Sequence, residues 1–194
     1  MKRIALFASG SGSNAEQIAT YFAANVDVEI SLIVSNNSKA GVIDRARRLH
    51  IPVLLFDRKT FYDTDRINEL LQKQSIDLIV LAGFMWLMPE AIVRSFPNRI
   101  INIHPALLPK FGGKGMYGHF VHEAVVEAGE AESGITIHYV NEQYDEGQII
   151  FQASCAVLPT DSPDDVARSV QVLEHAHYPR IVAEVLATLD QPKP

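Results

Sequence analysis

Short apolar, β-branched runs alternate along this chain of 194 residues with longer segments whose apolar positions recur every three or four residues. The first run, residues 3–8 (RIALFA), reads as a buried strand that stops at Ser9-Gly10-Ser11-Gly12. Residues 14–24 then put Ile18, Tyr21 and Phe22 on one face of a helix. The alternation continues with strands at 28–34, 52–56, 77–82 and 99–104, and helices at 42–49, 60–74 and 89–95. Residues 77–82 (DLIVLA) are nearly all apolar, as a parallel strand covered on both faces must be.

The rhythm changes after residue 109. Residues 110–118 (KFGGKGMYG) hold four glycines and read as a flexible loop, a mobile lid, before a helix at 119–128. Residues 134–140 and 148–157 are two strands with only a turn region between them, hence an antiparallel pair. Ser162-Pro163-Asp164-Asp165 has the form of a capping box that opens a last helix reaching Leu189, and the QPKP tail is expected to fray. The pattern predicts an α/β fold in a single domain over residues 1–194. It is a three-layer sandwich whose mostly parallel twisted sheet has a Rossmann-like N-terminal half, right-handed crossovers and an antiparallel strand pair near the C-terminus.

Composition narrows the classes of function. With 17 Lys plus Arg against 23 Asp plus Glu, the formal charge is −6. That disfavours a polyanion partner such as nucleic acid, which needs a cationic surplus, but not a small anion held by local dipoles. A lone cysteine, Cys155, rules out an internal disulfide or a Cys-rich zinc site, and its place in an alternating strand makes it a small buried hydrophobe. There is no 18-residue apolar run, and the apolar stretch at the N-terminus is too short for a signal segment, so a soluble, cytoplasmic protein with no membrane partner is expected.

Three motifs carry chemistry. Gly10-Ser11-Gly12-Ser13-Asn14-Ala15 is a G-x-G-x-x-A turn between the first strand and the first helix, where a helix N-terminus offers unpaired N–H groups to a phosphate. The strand that follows ends Val34-Ser35-Asn36-Asn37, without the acid of a dinucleotide fold, and the lysine of a P-loop is missing. A glycine-rich turn with Ser13 or Asn14 as a plain helix cap is the alternative. Asn102-Ile103-His104-Pro105 ends the fifth strand, with Asn102 and His104 on one side. An amide donor and an imidazole there suit oxyanion binding and proton transfer, and a polar strand end with a satisfied core histidine is the bland counterpart. Tyr144-Asp145-Glu146-Gly147 is a turn that gains a role only if the fold sets Asp145 against His104. Phe84-Met85-Trp86-Leu87-Met88 is core by default, or a wall for a flat ring. The pairs His119/His122 and His175/His177 lack the rest of a zinc site, so no metal is expected.

These runs, together with Leu81-Ala82-Gly83-Phe84-Met85, Ala106-Leu107-Leu108-Pro109, Gly134-Ile135-Thr136-Ile137-His138-Tyr139-Val140 and Gln171-Val172-Leu173-Glu174-His175, resemble the phosphoribosylglycinamide formyltransferases in one consistent order over almost the whole chain. The resemblance implies formyl transfer in purine biosynthesis, from 10-formyltetrahydrofolate as co-substrate to the amine of glycinamide ribonucleotide. It implies that Gly12, Ser13 and Asn14 hold the substrate phosphate and that Glu174 touches the ribose. Met85, Trp86, Leu87 and Met88 would line the folate pocket with Asn102. Asn102 would also bind the formyl oxygen, His104 would transfer the proton, and Asp145 would raise the His104 pKa. No metal is implied, and a monomer or homodimer is expected.

Two stretches depart from the family pattern. The loop 110–118 is richer in glycine, so no role transfers residue by residue, although Lys110 and Lys114 are candidate helpers toward anions. The segment before Phe56-Asp57-Arg58-Lys59 is short, and Arg58 and Lys59 both fall near the place of a ligand-contacting arginine. The rival readings are methionyl-tRNA formyltransferase, formyltetrahydrofolate hydrolase and a non-catalytic nucleotide-binding module. The first two carry an extra domain for which this length leaves no room, and the catalytic trio argues against the third.

Overall fold

A computed structural model describes residues 1–189; the QPKP tail expected to fray lies outside the described residues. The elements run β1 (Lys2–Phe7), α1 (Ser13–Phe22), β2 (Val28–Ser35), α2 (Val42–Arg48), β3 (Val53–Leu55), α3 (Arg58–Tyr62), α4 (Arg66–Lys73), β4 (Leu78–Leu81), α5 (Glu90–Ser95), β5 (Ile100–His104), α6 (His119–Glu127), β6 (Glu132–Tyr139), β7 (Ile149–Ala156) and α7 (Pro163–Thr188). They build one seven-stranded sheet in the order β3-β2-β1-β4-β5-β6-β7. The first five strands are parallel, and β6 runs antiparallel to both β5 and β7. The expected α/β class and the antiparallel pair are both present.

Why the central strands are continuously apolar follows from their two-residue period. In β1, Ile4 and Leu6 pack under one layer of helices while Ala5 and Phe7 pack under the other; in β4, Leu78 and Val80 oppose Ile79 and Leu81 in the same way. One layer is sealed by Ile18 of α1, Ala46 of α2, Val125 of α6 and Val182 of α7, the other by Phe61 of α3, Leu71 of α4 and Ile92 of α5.

The single helix expected over residues 60–74 is two, α3 and α4. Its break has a local cause. The Thr64 hydroxyl donates to the Thr60 carbonyl at 2.7 Å, the acceptor that the Thr64 N–H would use in a continuous helix. The capping box at Ser162 forms as expected, with Pro163 in the first turn of α7. Helix α1, by contrast, is capped by Gly12, with no side-chain cap from Ser13 or Asn14. Gly12 sits at φ 76°, and a Cβ there would lie 2.4 Å from Val42 Cγ2, so this position excludes every other residue on two counts.

Among the described residues no helix is long and apolar enough to cross a membrane.

Candidate active site

The strand order reverses between β1 and β4. From β1 the chain leaves to α1 and β2 on one side, and after β4 it continues to α5 and β5 on the other. Helices therefore diverge at this point, and a crevice opens beyond the carboxyl ends of the strands. It is a cleft of about 590 Å³ lined by the Gly10 to Asn14 turn, residues 81–88, the end of β5, and part of the glycine-rich loop. The two loops are stitched at its floor, where Ser9 N–H donates to the Gly83 carbonyl and Ser9 Oγ accepts from Met85 N–H, each at 3.0 Å.

At the end of β5 the structure brings the expected catalytic trio together. The Asp145 carboxylate lies between Asn102 and His104, with Oδ1 accepting from Asn102 Nδ2 at 3.5 Å and Oδ2 3.5 Å from His104 Nδ1. Oδ2 also accepts the Gly113 N–H at 3.0 Å, which ties the glycine-rich loop to the same carboxylate. Asp145 is held in the left-handed region, φ 57°, a conformation that short polar side chains tolerate.

His104 faces an acceptor on each ring nitrogen, since its Nε2 lies 2.7 Å from the Phe111 carbonyl. That pairing suits an imidazolium. Burial pushes the His104 pKa down, against the upward pull of Asp145 and the Phe111 carbonyl, and the net displacement is downward. The upward influence of Asp145 implied by the resemblance is present, but in this arrangement desolvation outweighs it. Burial likewise pushes the Asp145 carboxyl up; His138, His104 and the Gly113 N–H together hold it below its ordinary value, so it stays ionised at neutral pH.

His138 had no role assigned from sequence. It sits on β6 directly across from Asn102, 2% exposed, with Nε2 3.1 Å from the Asn102 amide nitrogen and 3.6 Å from Asp145. Its Nδ1 faces the Tyr139 carbonyl at 2.8 Å and so carries a proton. The Asn102 amide nitrogen thus lies between two partners, His138 Nε2 and Asp145 Oδ1. Of the two, the 3.5 Å bond to Asp145 is the longer and weaker. The signal in sequence was a histidine two residues after Thr136 and on the same face of the β6 run.

The N-terminal end of α1 lines the same cleft. Asn14 Nδ2 donates to Glu174 Oε2 at 2.9 Å, joining the expected phosphate and ribose residues, and the Gln171 amide reaches Ser13 Oγ at 3.4 Å. Burial pushes the Glu174 carboxyl up, partly offset by the Asn14 hydrogen bond. Asn14 Oδ1 is buried without a partner, so an acceptor stands ready there.

The segment 85–88 lines the cleft, but its side chains divide. Met85 is exposed, while Met88 is 2% exposed and part of the core beneath α5. Trp86 packs against Phe56, Phe61 and Tyr62, and the Arg58 guanidinium lies 5.0 Å from the Tyr62 ring centre and 5.6 Å from that of Trp86. Of the two candidates near residue 58, Arg58 is thus the one packed beside Trp86, although neither it nor Lys59 lines the cleft.

The remaining candidates separate cleanly. Lys110 pairs with Glu130 on a second, smaller cavity, so it does not serve the cleft; Lys114 does line it. His119 faces Glu123 and Asp164, His177 stacks on Phe151, and no group of three metal-type ligands exists among the described residues. His122 also lines the cleft, with a buried, unpartnered Nδ1, and burial, His119 and His104 push its pKa down to about 4. Burial pushes the Cys155 thiol up, as befits an inert side chain. Tyr178 of α7, wholly buried, donates to the Leu81 carbonyl at 2.9 Å and so pins α7 to the end of β4.

The formyl transferase family matches residues 2–182. The chain is 41% identical over 190 residues to the chloroplastic phosphoribosylglycinamide formyltransferase of Arabidopsis thaliana, covering 95% of this chain but only 65% of that protein's length. It is 37% identical over 191 residues to the phosphoribosylglycinamide formyltransferase of Bacillus subtilis, covering 96% of this chain and 95% of the relative. A crystal structure of phosphoribosylglycinamide formyltransferase from Bacillus halodurans superposes with a TM-score of 0.85 at 35% identity, over 95% of each chain. Sequence, fold and the arrangement of the cleft agree: the chain belongs to the formyl transferase family, among the phosphoribosylglycinamide formyltransferases.

Proposed function

We propose that this chain transfers the formyl group of 10-formyltetrahydrofolate to the primary amine of glycinamide ribonucleotide, a step of purine biosynthesis. The amine nitrogen attacks the formyl carbon, and the carbonyl electrons move onto oxygen. The Asn102 amide donates to that developing oxyanion in place of its long bond to Asp145. His104, held between Asp145 and the Phe111 carbonyl, donates a proton as the bond from carbon to N10 breaks. Tetrahydrofolate leaves with that proton, and the attacking ammonium gives one up through the His104–Asp145 pair. No redox step and no metal are needed.

The observation that carries the reading is the Asp145 carboxylate within 3.6 Å of polar nitrogens of Asn102, His104 and His138 at the mouth of the cleft. Gly12, Ser13 and Asn14 hold the phosphate, Glu174 the ribose, and Met85 to Met88 the folate in this reading. It brings with it a cytoplasmic enzyme, monomeric or homodimeric, with two small anionic substrates and neither nucleic acid nor membrane as partner.

Purified protein given both substrates should release tetrahydrofolate only when the nucleotide is present. Release at the same rate without the nucleotide would make water the acceptor and the protein a hydrolase; no release would sink the reading. His104→Ala should lower kcat by about two to four orders of magnitude.

A further inference from the structure

Both substrates of the proposed reaction are anions, yet among the described residues lining the cleft Lys114 is the one Lys or Arg. The neighbouring cations are engaged elsewhere. Arg45 donates from Nε to the Ser11 carbonyl at 2.8 Å and pairs with Glu16, which also holds Arg48. Lys110 is bound to both carboxylate oxygens of Glu130. Arg58 lies over Tyr62 and Trp86, at the folate side. Lys114 is exposed and has no hydrogen-bond or ion-pair partner among the described residues.

The backbone around Lys114 is built to re-aim it. Gly113 and Gly115 both sit at φ 93°, open to glycine, and nothing lies within 4 Å of a Cβ at either position. The loop is tied at both ends: Gly113 N–H bonds Asp145, and His119 Nδ1 lies 3.7 Å from Asp164 at the start of α7. It therefore spans from the catalytic carboxylate to the helix that carries Gln171 and Glu174 to the phosphate end. At that end the side chain reaching Ser13 is the neutral Gln171 amide. A helix N-terminus, worth about half a positive charge, leaves most of a phosphate dianion unbalanced.

We propose that Lys114 is a binding and specificity residue for the nucleotide phosphate, its ammonium ion closing over the phosphate seated at the N-terminus of α1. The inference rests on the substrate reading above and deepens it. Because the cation arrives on the loop rooted at Asp145, phosphate binding and the arrangement of the catalytic carboxylate are coupled, and the nucleotide is preferred over its dephosphorylated form.

The test compares wild type with Lys114→Ala and Lys114→Arg by steady-state kinetics in both substrates, and by calorimetric titration with ribose 5-phosphate. In Lys114→Ala the KM for nucleotide should rise about 10- to 100-fold, the size of a lost hydrogen bond to a charged group, while the KM for folate moves less than about threefold. Ribose 5-phosphate affinity should fall in parallel, and Lys114→Arg should restore most of both. A rise confined to the folate KM, equal ribose 5-phosphate binding by wild type and Lys114→Ala, or no binding by wild type would overturn the proposal. If wild type does not turn over the nucleotide, the substrate reading falls while the ribose 5-phosphate comparison still decides the role of Lys114.

Discussion

Replacing Asp145 with asparagine removes a charge while keeping the shape of the side chain. The amide oxygen can still accept the Gly113 N–H, so the loop root should survive. What is lost is the attraction between the carboxylate and a protonated His104, whose Nδ1 lies 3.5 Å away. At an effective dielectric of 20 that attraction is about 5 kcal/mol, an upper bound of roughly three to four orders of magnitude in rate if it is fully expressed in the proton-transfer step. The sign follows from the balance at His104: burial already pushes its pKa down, and Asp145 is the main upward pull, so Asp145→Asn moves it further down. The protonated form is then reached only at lower pH. We expect kcat at neutral pH to fall by about two to three orders of magnitude, KM values to change less than about fivefold, and the limb of the pH–kcat profile set by His104 to shift toward acid. A variant with unchanged circular dichroism, a superimposable pH profile and kcat within about threefold of wild type would refute the reasoning and remove Asp145 from the mechanism.

Burial depresses the His122 pKa from 6.5 to about 4, so the unfolded chain binds its proton first and stability falls as pH drops from 6.5 toward 4. The loss is of the order of 3 kcal/mol, and urea melts of His122→Gln between about pH 7 and 4.5 should show a flatter decline than wild type. Gly12→Ala forces an L residue to φ 76° and a Cβ into Val42, so it should cost at least about 1–2 kcal/mol in denaturant melts and raise the KM for nucleotide. Tyr178→Phe strips the donor from the Leu81 carbonyl in a fully buried site and should cost about 1–3 kcal/mol by the same melts.

Much of the site is legible along the chain because strand ends announce themselves. Asn102 and His104 share a side by the two-residue period of β5, and the glycines at 10 and 12 follow a strand that stops abruptly. Asp145 could be named but not placed, because the glycine-rich loop, α6 and β6 all lie between it and His104. The register of β5 against β6 leads β6 out beside Ile101, and only the folding back of the segment that follows sets Asp145 against Asn102 and His104. The same register sets His138 opposite Asn102, a pairing that no spacing along the chain encodes. The break between α3 and α4 shows as a slip in phase, since Ile67 follows Phe61 by six residues rather than the seven of one continuous face, and the Thr64 hydroxyl takes the Thr60 carbonyl.

The chain's own pattern determined what depends on neighbours a few residues apart: the parallel strands buried on both faces, the anion-ready end of α1, the capped start of α7, and a charge balance that leaves anion binding to local dipoles. Tertiary structure decided what depends on groups far apart in sequence sharing one small volume. It chose which cations are neutralised, leaving Lys114 without a partner among the described residues while Lys110 is held by Glu130. It also set the protonation balance of His104, because desolvation and a carboxylate 3.5 Å away act in opposite senses and both are properties of packing rather than of residue type.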